Sequence, residues 1–101
     1  MSIATRPALP TVWTVEIRAD GDLRAEPVDG GAVTSLLDML RDYSASVSHL
    51  PRRYETRLVV QAQDALQAAS GALEVWRDAA DRAGLPDWPV AHLQVNRSSG
   101  R

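Results

Sequence analysis

The sequence contains no cysteine, no lysine and no phenylalanine, and it has only two isoleucines. Without cysteine the chain has no disulfide, no thiol nucleophile and no thiolate ligand for a metal. All eleven cationic residues are arginines. The joint depletion of lysine, isoleucine and phenylalanine is typical of codon usage in a GC-rich bacterial genome. The alternative interpretation is selection of arginine for bidentate binding of anions.

Long apolar segments are also missing. No window approaches the roughly 18 apolar residues of a membrane-spanning helix, and the N-terminus has no apolar run of the secretory type. We therefore expect a cytoplasmic protein without membrane association. The net charge of −2 disfavours a dedicated nucleic-acid-binding protein, because such proteins usually carry a basic surface.

The 101 residues, 45% of them hydrophobic, indicate one globular domain. Residues 1–10 contain two prolines and no periodic pattern, so we expect a flexible N-terminal arm there. The domain is predicted to span residues 11–96. Residues 97–101 are predicted to form a polar C-terminal tail.

Four segments alternate between apolar and polar residues with a period of two, as half-buried strands do. They cover residues 12–19, 44–50, 54–62 and 90–96. Residues 22–29 are predicted to form either a short edge ribbon or an extended connection, because only Leu23 and Ala25 are apolar before Pro27.

Two further segments have the 3–4 spacing of amphipathic helices. The apolar positions of the first are Val33, Leu36, Leu37 and Leu40. Those of the second are Leu66, Ala69, Leu73, Trp76, Ala80 and Ala83. Asp64 with Gln67 fits a capping box at the start of the second helix, and Gly84 fits a left-handed cap at its end. Gly71, inside this helix, predicts close packing by another backbone or a bulky side chain, with the approach of a ligand as the alternative, because glycine costs about 1 kcal/mol there relative to alanine.

The order strand, helix, strand, strand, helix, strand predicts an α+β domain of the ferredoxin-like type. In this βαββαβ sandwich a four-stranded antiparallel sheet carries both helices on one face. Right-handed crossovers would place the first and third strands at the centre. The pattern indicates a fold and contains no family motif, so it leaves the function open.

The face of the sheet without helices is predicted to be polar. Its first and third strands would place charges of alternating sign side by side, which suits a protein contact, a homo-oligomer interface or a solvated face. A sheet that binds RNA presents aromatic side chains instead, and this face has none. The residues predicted for an interaction face are Glu16, Arg18, Glu55, Arg57, Val59, Gln61 and His92.

The aromatic residues fall on the side of the sheet that the helices cover. A pocket there would be a ligand site if it reached about 300 Å³ and contained converging polar groups. A filled core is the competing interpretation. The predicted lining residues are Trp13, Tyr54, Trp76 and Trp88.

The sequence has no catalytic, metal-binding or cofactor-binding motif. His49 follows serines, but a serine-rich strand explains that run, and neither His49 nor His92 has the spacing of a metal ligand. Two basic clusters remain, Arg52 and Arg53 with Arg57, and Arg97 with Arg101. We interpret them as a solvated turn and tail, with contacts to nucleic-acid phosphates as the alternative.

These patterns predict a small bacterial interaction module without catalytic activity. It would self-associate as a dimer or act as an accessory subunit of a larger assembly, with no cofactor or metal and with nucleic acid disfavoured as a partner. The alternative is a small cofactor-independent enzyme or ligand-binding protein of the dimeric ferredoxin-like kind. Such a protein would hold a small molecule between the sheet and the helices.

Overall fold

A computed structural model describes residues 11–98 of the chain. In chain order the elements are β1 (Thr11–Asp20), α1 (Gly30–Met39), a 3-10 turn (Arg41–Tyr43), β2 (Ser46–Leu50), β3 (Arg53–Ala62), α2 (Ala65–Ala83) and β4 (Val90–Arg97). The predicted arm, residues 1–10, and residues 99–101 of the predicted tail lie outside the described residues.

The strands form one four-stranded sheet in the order β2-β3-β1-β4, and every neighbouring pair is antiparallel. The α+β class, with a four-stranded antiparallel sheet and two helices, is confirmed. The first and third strands in sequence are the central strands of the sheet.

Strands β1 and β3 pair along their whole length, from Thr11 opposite Ala62 to Asp20 opposite Arg53. Because successive side chains of a strand point to opposite faces, this register fixes the chemistry of both faces at once. One face carries the buried residues of the two strands, which are Val15, Ile17, Ala19, Tyr54, Thr56, Leu58 and Ala62.

Both helices contribute to the single core that covers this face. Helix α1 packs against β2 and α2, whereas α2 packs against β1, β3 and β4. At the start of α1 the side chain of Asp29 accepts a hydrogen bond from the backbone N–H of Gly31. Leu36 and Leu40 are fully buried, but Leu37, predicted on the same apolar stripe, is 41% exposed.

The ends of α2 are capped as predicted. Asp64 accepts a hydrogen bond from the backbone N–H of Gln67 at 2.8 Å, and the Gln67 side chain accepts one from the backbone N–H of Gln63 at 2.6 Å. The first bond satisfies a donor that the first helical turn leaves free, and the second ties down the residue that precedes the N-cap. At the other end Gly84 has φ = +83°, the left-handed conformation that glycine adopts without strain.

The predicted buried stripe of α2 is confirmed at Trp76 and Ala80, partly buried at Ala69, Leu73 and Ala83, and wrong at Leu66. The buried residues are Ala68, Ala72, Trp76, Ala79 and Ala80, whereas Leu66 is 78% exposed. The indole Nε1 of Trp76 donates a buried hydrogen bond to Oγ1 of Thr56 at 3.1 Å, which ties this side of the helix to β3. The alanines then let the helix backbone approach the strands closely.

Residues 22–29 form a connection rather than a strand. Asp22 organises a turn in which its side chain accepts a hydrogen bond from the backbone N–H of Arg24. Val28 is buried, and its backbone N–H donates to the carbonyl of Pro51 at 2.9 Å. The segment therefore crosses the end of the sheet next to the β2–β3 turn.

Strand β4 has a register irregularity opposite Arg18 and Ala19, so Val90, and not Ala91, pairs with Ala19. The strand continues to Arg97, one residue beyond the predicted domain boundary. The backbone N–H of Ser98 then donates to the carbonyl of Val12 at 2.9 Å.

Candidate functional site

The open face of the sheet, opposite the helices, carries six charged residues on its two central strands. We call them the charge mosaic: Glu16, Arg18, Asp20, Arg53, Glu55 and Arg57. Signs alternate along β1 and along β3, and the register sets Glu16 opposite Arg57, Arg18 opposite Glu55, and Asp20 opposite Arg53. The mosaic is therefore neutral, and each charge has an opposite charge directly across from it.

Two of the three cross-strand pairs form ion pairs. Nε of Arg57 lies 3.0 Å from Oε1 of Glu16, and Nε of Arg53 lies 3.0 Å from Oδ1 of Asp20. The Arg57 and Glu16 side chains are 59% and 33% exposed. Exposed pairs of this kind contribute about 0.2–1 kcal/mol each, so the mosaic does little for the stability of the fold.

The third pair does not form. Nε of Arg18 turns along its own strand and lies 3.4 Å from Oδ1 of Asp20, the oxygen that Arg53 also contacts. Within the described chain this buried Nε has no hydrogen-bond acceptor, and Glu55 has no ion pair. A carboxylate and a guanidinium thus face each other at the centre of the mosaic without binding each other.

A shallow cleft of about 350 Å³ lies over this part of the face. Its rim includes Ser46 and Ser48 of β2, which lie opposite Arg57 and Glu55, and His92 of β4. Hydroxyls, an imidazole and charges of both signs therefore converge on one side of the sheet.

The structure brings together five of the seven residues predicted for the interaction face. Glu16, Arg18, Glu55, Arg57 and His92 line the cleft. The other two, Val59 and Gln61, lie further along β3 and line a different groove.

Sequence reasoning missed Asp20 and Arg53 as members of this face. Both are terminal residues of strands that extend one residue beyond the predicted bounds. The alternation of the two strands could have identified both residues. The next position after Glu16 and Arg18 on the same face is Asp20, and the position before Glu55 and Arg57 is Arg53.

The second groove, of about 490 Å³, lies between β3, the 3-10 turn and α2. It forms beside the half of β3 that β2 does not reach, because β2 pairs only with residues 53–57. Gly71 lines this groove, is exposed, and has nothing within 4 Å of the position that a Cβ would take. The predicted close packing at Gly71 is therefore wrong.

Three of the four predicted pocket residues form an aromatic cluster. The Tyr54 ring lies 5.8 Å from the ring of Trp76 and 5.8 Å from that of Trp88. Trp13 lies towards the other end of the strands, where its indole Nε1 donates a hydrogen bond to the carbonyl of Ala62 at 3.0 Å. The space beside Tyr54 and Trp76 is about 240 Å³, smaller than the roughly 300 Å³ typical of ligand sites.

Tyr54 itself is buried, and its hydroxyl donates a hydrogen bond to the carbonyl of Pro86 at 3.2 Å. Burial, and to a lesser extent the nearby carboxylate of Asp87, raises the pKa of Tyr54 from 10.0 to about 12. Both effects disfavour the phenolate, so Tyr54 is a neutral packing residue at physiological pH.

The two basic clusters do not merge into one surface. Arg53 forms an ion pair with Asp20 at one end of β1. Arg97 lies opposite Trp13, which is seven residues from Asp20 along the same strand. Arg101 lies outside the described residues. Between residues 11 and 98, no group of three or more histidine, aspartate or glutamate residues is placed to hold a metal ion. In the same span no helix is long and apolar enough to cross a membrane.

Comparison of the chain with protein-family models, with curated proteins and with solved structures gave no match. The function is therefore argued from the geometry of the sheet and its charges.

Proposed function

We propose that this chain is a small, non-catalytic bacterial interaction module of the cytoplasm, built on a ferredoxin-like sheet that binds a protein partner through its open face. It acts as a homo-oligomer or as an accessory subunit of a larger assembly. The ferredoxin-like assignment is supported by the βαββαβ order and by the central position of β1 and β3.

The observation that carries this proposal is the charge mosaic. Six charges of alternating sign lie on the two strands that have neighbours on both sides, so their positions are fixed by the sheet. A rigid pattern of this kind selects a partner with the opposite pattern and rejects others by like-charge repulsion. The unpaired Glu55 and the cleft beside it leave room for a partner side chain at the centre.

Protein suits this face better than the other partner classes. A nucleic acid would require a net positive surface, and the mosaic has three charges of each sign. The described open face also presents no tyrosine, tryptophan or phenylalanine side chain on which a base could stack.

The test is an inversion of the whole mosaic. Glu16→Arg, Arg18→Glu, Asp20→Arg, Arg53→Glu, Glu55→Arg and Arg57→Glu together keep the net charge and every cross-strand attraction. The variant should fold like the wild type but present the opposite pattern to a partner. Wild type and variant would be recovered from the source cells under gentle conditions and weighed by native mass spectrometry.

We expect the wild type to carry an added protein mass that the inverted variant lacks. A matched control exchanges the exposed Asp78–Arg82 pair on α2, which lies on the other side of the molecule, and should retain the partner. Equal retention of a different protein by all three would show that the open face is not the surface that binds it. A wild type recovered without any protein partner or second copy would refute the interaction module itself.

The same experiment separates two kinds of partner. The inversion changes the sign of every charge on both copies of the chain. Opposite charges would therefore still meet in a contact between two identical open faces, and that contact would survive in the variant. A different protein, with a fixed pattern of its own, would be lost. A surviving homodimer mass is then assigned by mixing wild type and variant, because two open faces of opposite pattern would oppose like charges and lose the mixed dimer, whereas a contact elsewhere would keep it.

The groove beside β3 favours a second candidate, a protein that binds a small molecule. Its walls combine apolar residues, Val60 and Val75, with the polar side chains of Asp42, Gln61 and Gln67. Native mass spectrometry would then show a retained mass of a few hundred daltons. The substitution Gly71→Trp, which fills the groove from the exposed side of α2, should abolish that mass while leaving a protein partner bound.

A further inference from the structure

The outer edge of β4 is a long strand edge without a neighbour in the described chain. Strand β4 pairs with β1 on one side only and has eight residues, so the free edge is roughly 27 Å long. The opposite edge of the sheet, β2, has five residues and ends at Pro51. An unpaired edge exposes a row of backbone N–H and C=O groups that can pair with another strand.

The sequence of β4 does nothing to block such pairing. Proteins protect edges with charged side chains, prolines, bulges or short strands. From Val90 to Asn96 there is no charge, proline or glycine, and the one register irregularity lies at the beginning of the strand. Leu93, on the side that faces the helices, is 37% exposed.

We infer that a second copy of this chain pairs with β4, antiparallel, about a two-fold axis at Gln94. In this register Leu93 lies opposite Val95 of the second copy, and His92 lies opposite Asn96. Gln94 lies opposite itself. Apolar side chains therefore meet on the helix side and polar ones on the open side, as in a stable cross-strand ladder.

The charges of β4 also permit self-pairing. Arg97 is the only charged residue of the strand, and in this register it lies opposite Ala91, so like charges do not meet. An unrelated extended segment would need apolar and polar residues in the order that matches β4. A second copy of β4 already has that order.

This pairing would extend the sheet from four strands to eight. Because the two-fold axis is perpendicular to the sheet, both open faces would point the same way. If the open face binds a protein as proposed above, the dimer would present two charge mosaics side by side and would bind a repetitive or dimeric partner more tightly than one copy could. The pairing at β4 does not itself depend on that function.

The experiment uses two substitutions at the axis, Gln94→Glu and Gln94→Lys. Gln94 is exposed, so both variants should fold. Each homodimer would place two like charges opposite each other, and we expect its dissociation constant to rise about two- to fivefold. An equimolar mixture would place Glu opposite Lys and should recover a heterodimer. Sedimentation velocity over micromolar to millimolar concentrations measures all three, and native mass spectrometry identifies the heterodimer.

A control substitution, Ser70→Lys on the exposed side of α2, adds the same charge away from the edge and should leave the wild-type dimer unchanged. A wild type that stays monomeric throughout the concentration range would overturn the inference. So would a dimer that both Gln94 variants leave intact, or two weakened variants whose mixture does not recover. None of these results would change the outcome of the mosaic inversion, so the two proposals fail separately.

Discussion

The two faces of the sheet come from the same strands and have opposite chemistry. On β3, Tyr54, Thr56 and Leu58 are buried beneath the helices, while Glu55 and Arg57, which alternate with them, are exposed. The covered face is filled by α1 and α2, with a tryptophan–threonine hydrogen bond at its centre. The open face has no covering element in the described chain, and its charges are paired only in part.

This difference separates the face that stabilises the fold from the face that we propose as the binding surface. Burial of apolar area stabilises a fold by about 25 cal/mol per Å², whereas an exposed ion pair adds about 1 kcal/mol at most. The covered face therefore holds the domain together. The open face can change its pattern of charges without loss of the fold, which is what the proposed binding role requires.

The largest effect is expected in the covered face. Leu58 is fully buried at the centre of β3, and Leu58→Ala would leave a cavity that the packed alanines of α2 cannot close. We expect the free energy of unfolding to fall by roughly 2–5 kcal/mol. Urea denaturation followed by tryptophan fluorescence measures it. A loss below about 1 kcal/mol would show that the core is less well packed than the structure indicates.

An intermediate effect should appear at alkaline pH. Because Tyr54 has a pKa of 10.0 when unfolded and about 12 when folded, the unfolded state loses its proton first as pH rises. Stability is therefore unaffected below pH 10 and should decrease by roughly 2–3 kcal/mol between pH 10 and 12.

The amino-acid composition simplifies the assignment of this decrease to one side chain. The chain has no lysine or cysteine, and its only tyrosine besides Tyr54 is Tyr43. In urea titrations from pH 8 to 12, Tyr54→Phe should remove most of the decrease and Tyr43→Phe should retain it. The reverse result would contradict the role assigned to Tyr54.

The smallest effect should come from the open face. Arg57→Ala, one residue before Leu58, removes the ion pair with Glu16, and we expect a loss of less than about 1 kcal/mol. The loss should shrink further in high salt, because an exposed pair is screened. A loss equal to that of Leu58→Ala, measured in the same denaturation series, would mean that the open face contributes to folding as much as the core does.

The alternation of residues was enough to predict the strands, the class of the fold and the polar character of the open face. Capping residues likewise predicted the ends of α2, because Asp64 and Gly84 act locally. The exposure of Leu66 on α2 was not predictable, since alanine and leucine are both acceptable on a helix stripe and Ala68 and Ala72 are buried instead.

The centre of the mosaic was also beyond sequence reasoning. Register places Arg18 opposite Glu55 and predicts attraction between them, but the arginine side chain lies near Asp20 instead. That choice depends on rotamers and on the competition of two arginines for one carboxylate. In the same way, β2 is too short to pair with the second half of β3, and the groove forms beside that half. Periodicity does not determine the length of β2.

Arginine side chains offer the most direct test of the open face as a binding surface. The chain, labelled with ¹⁵N-arginine, would be compared by NMR in buffer and in cleared extract of its source cells. We predict that the Nε–H signals of Arg18, Arg53 and Arg57 shift or broaden in the extract, while those of Arg77 and Arg82 on α2 do not. Unchanged mosaic signals together with altered signals from α2 would contradict the account, because they would place the contact on the opposite side of the molecule.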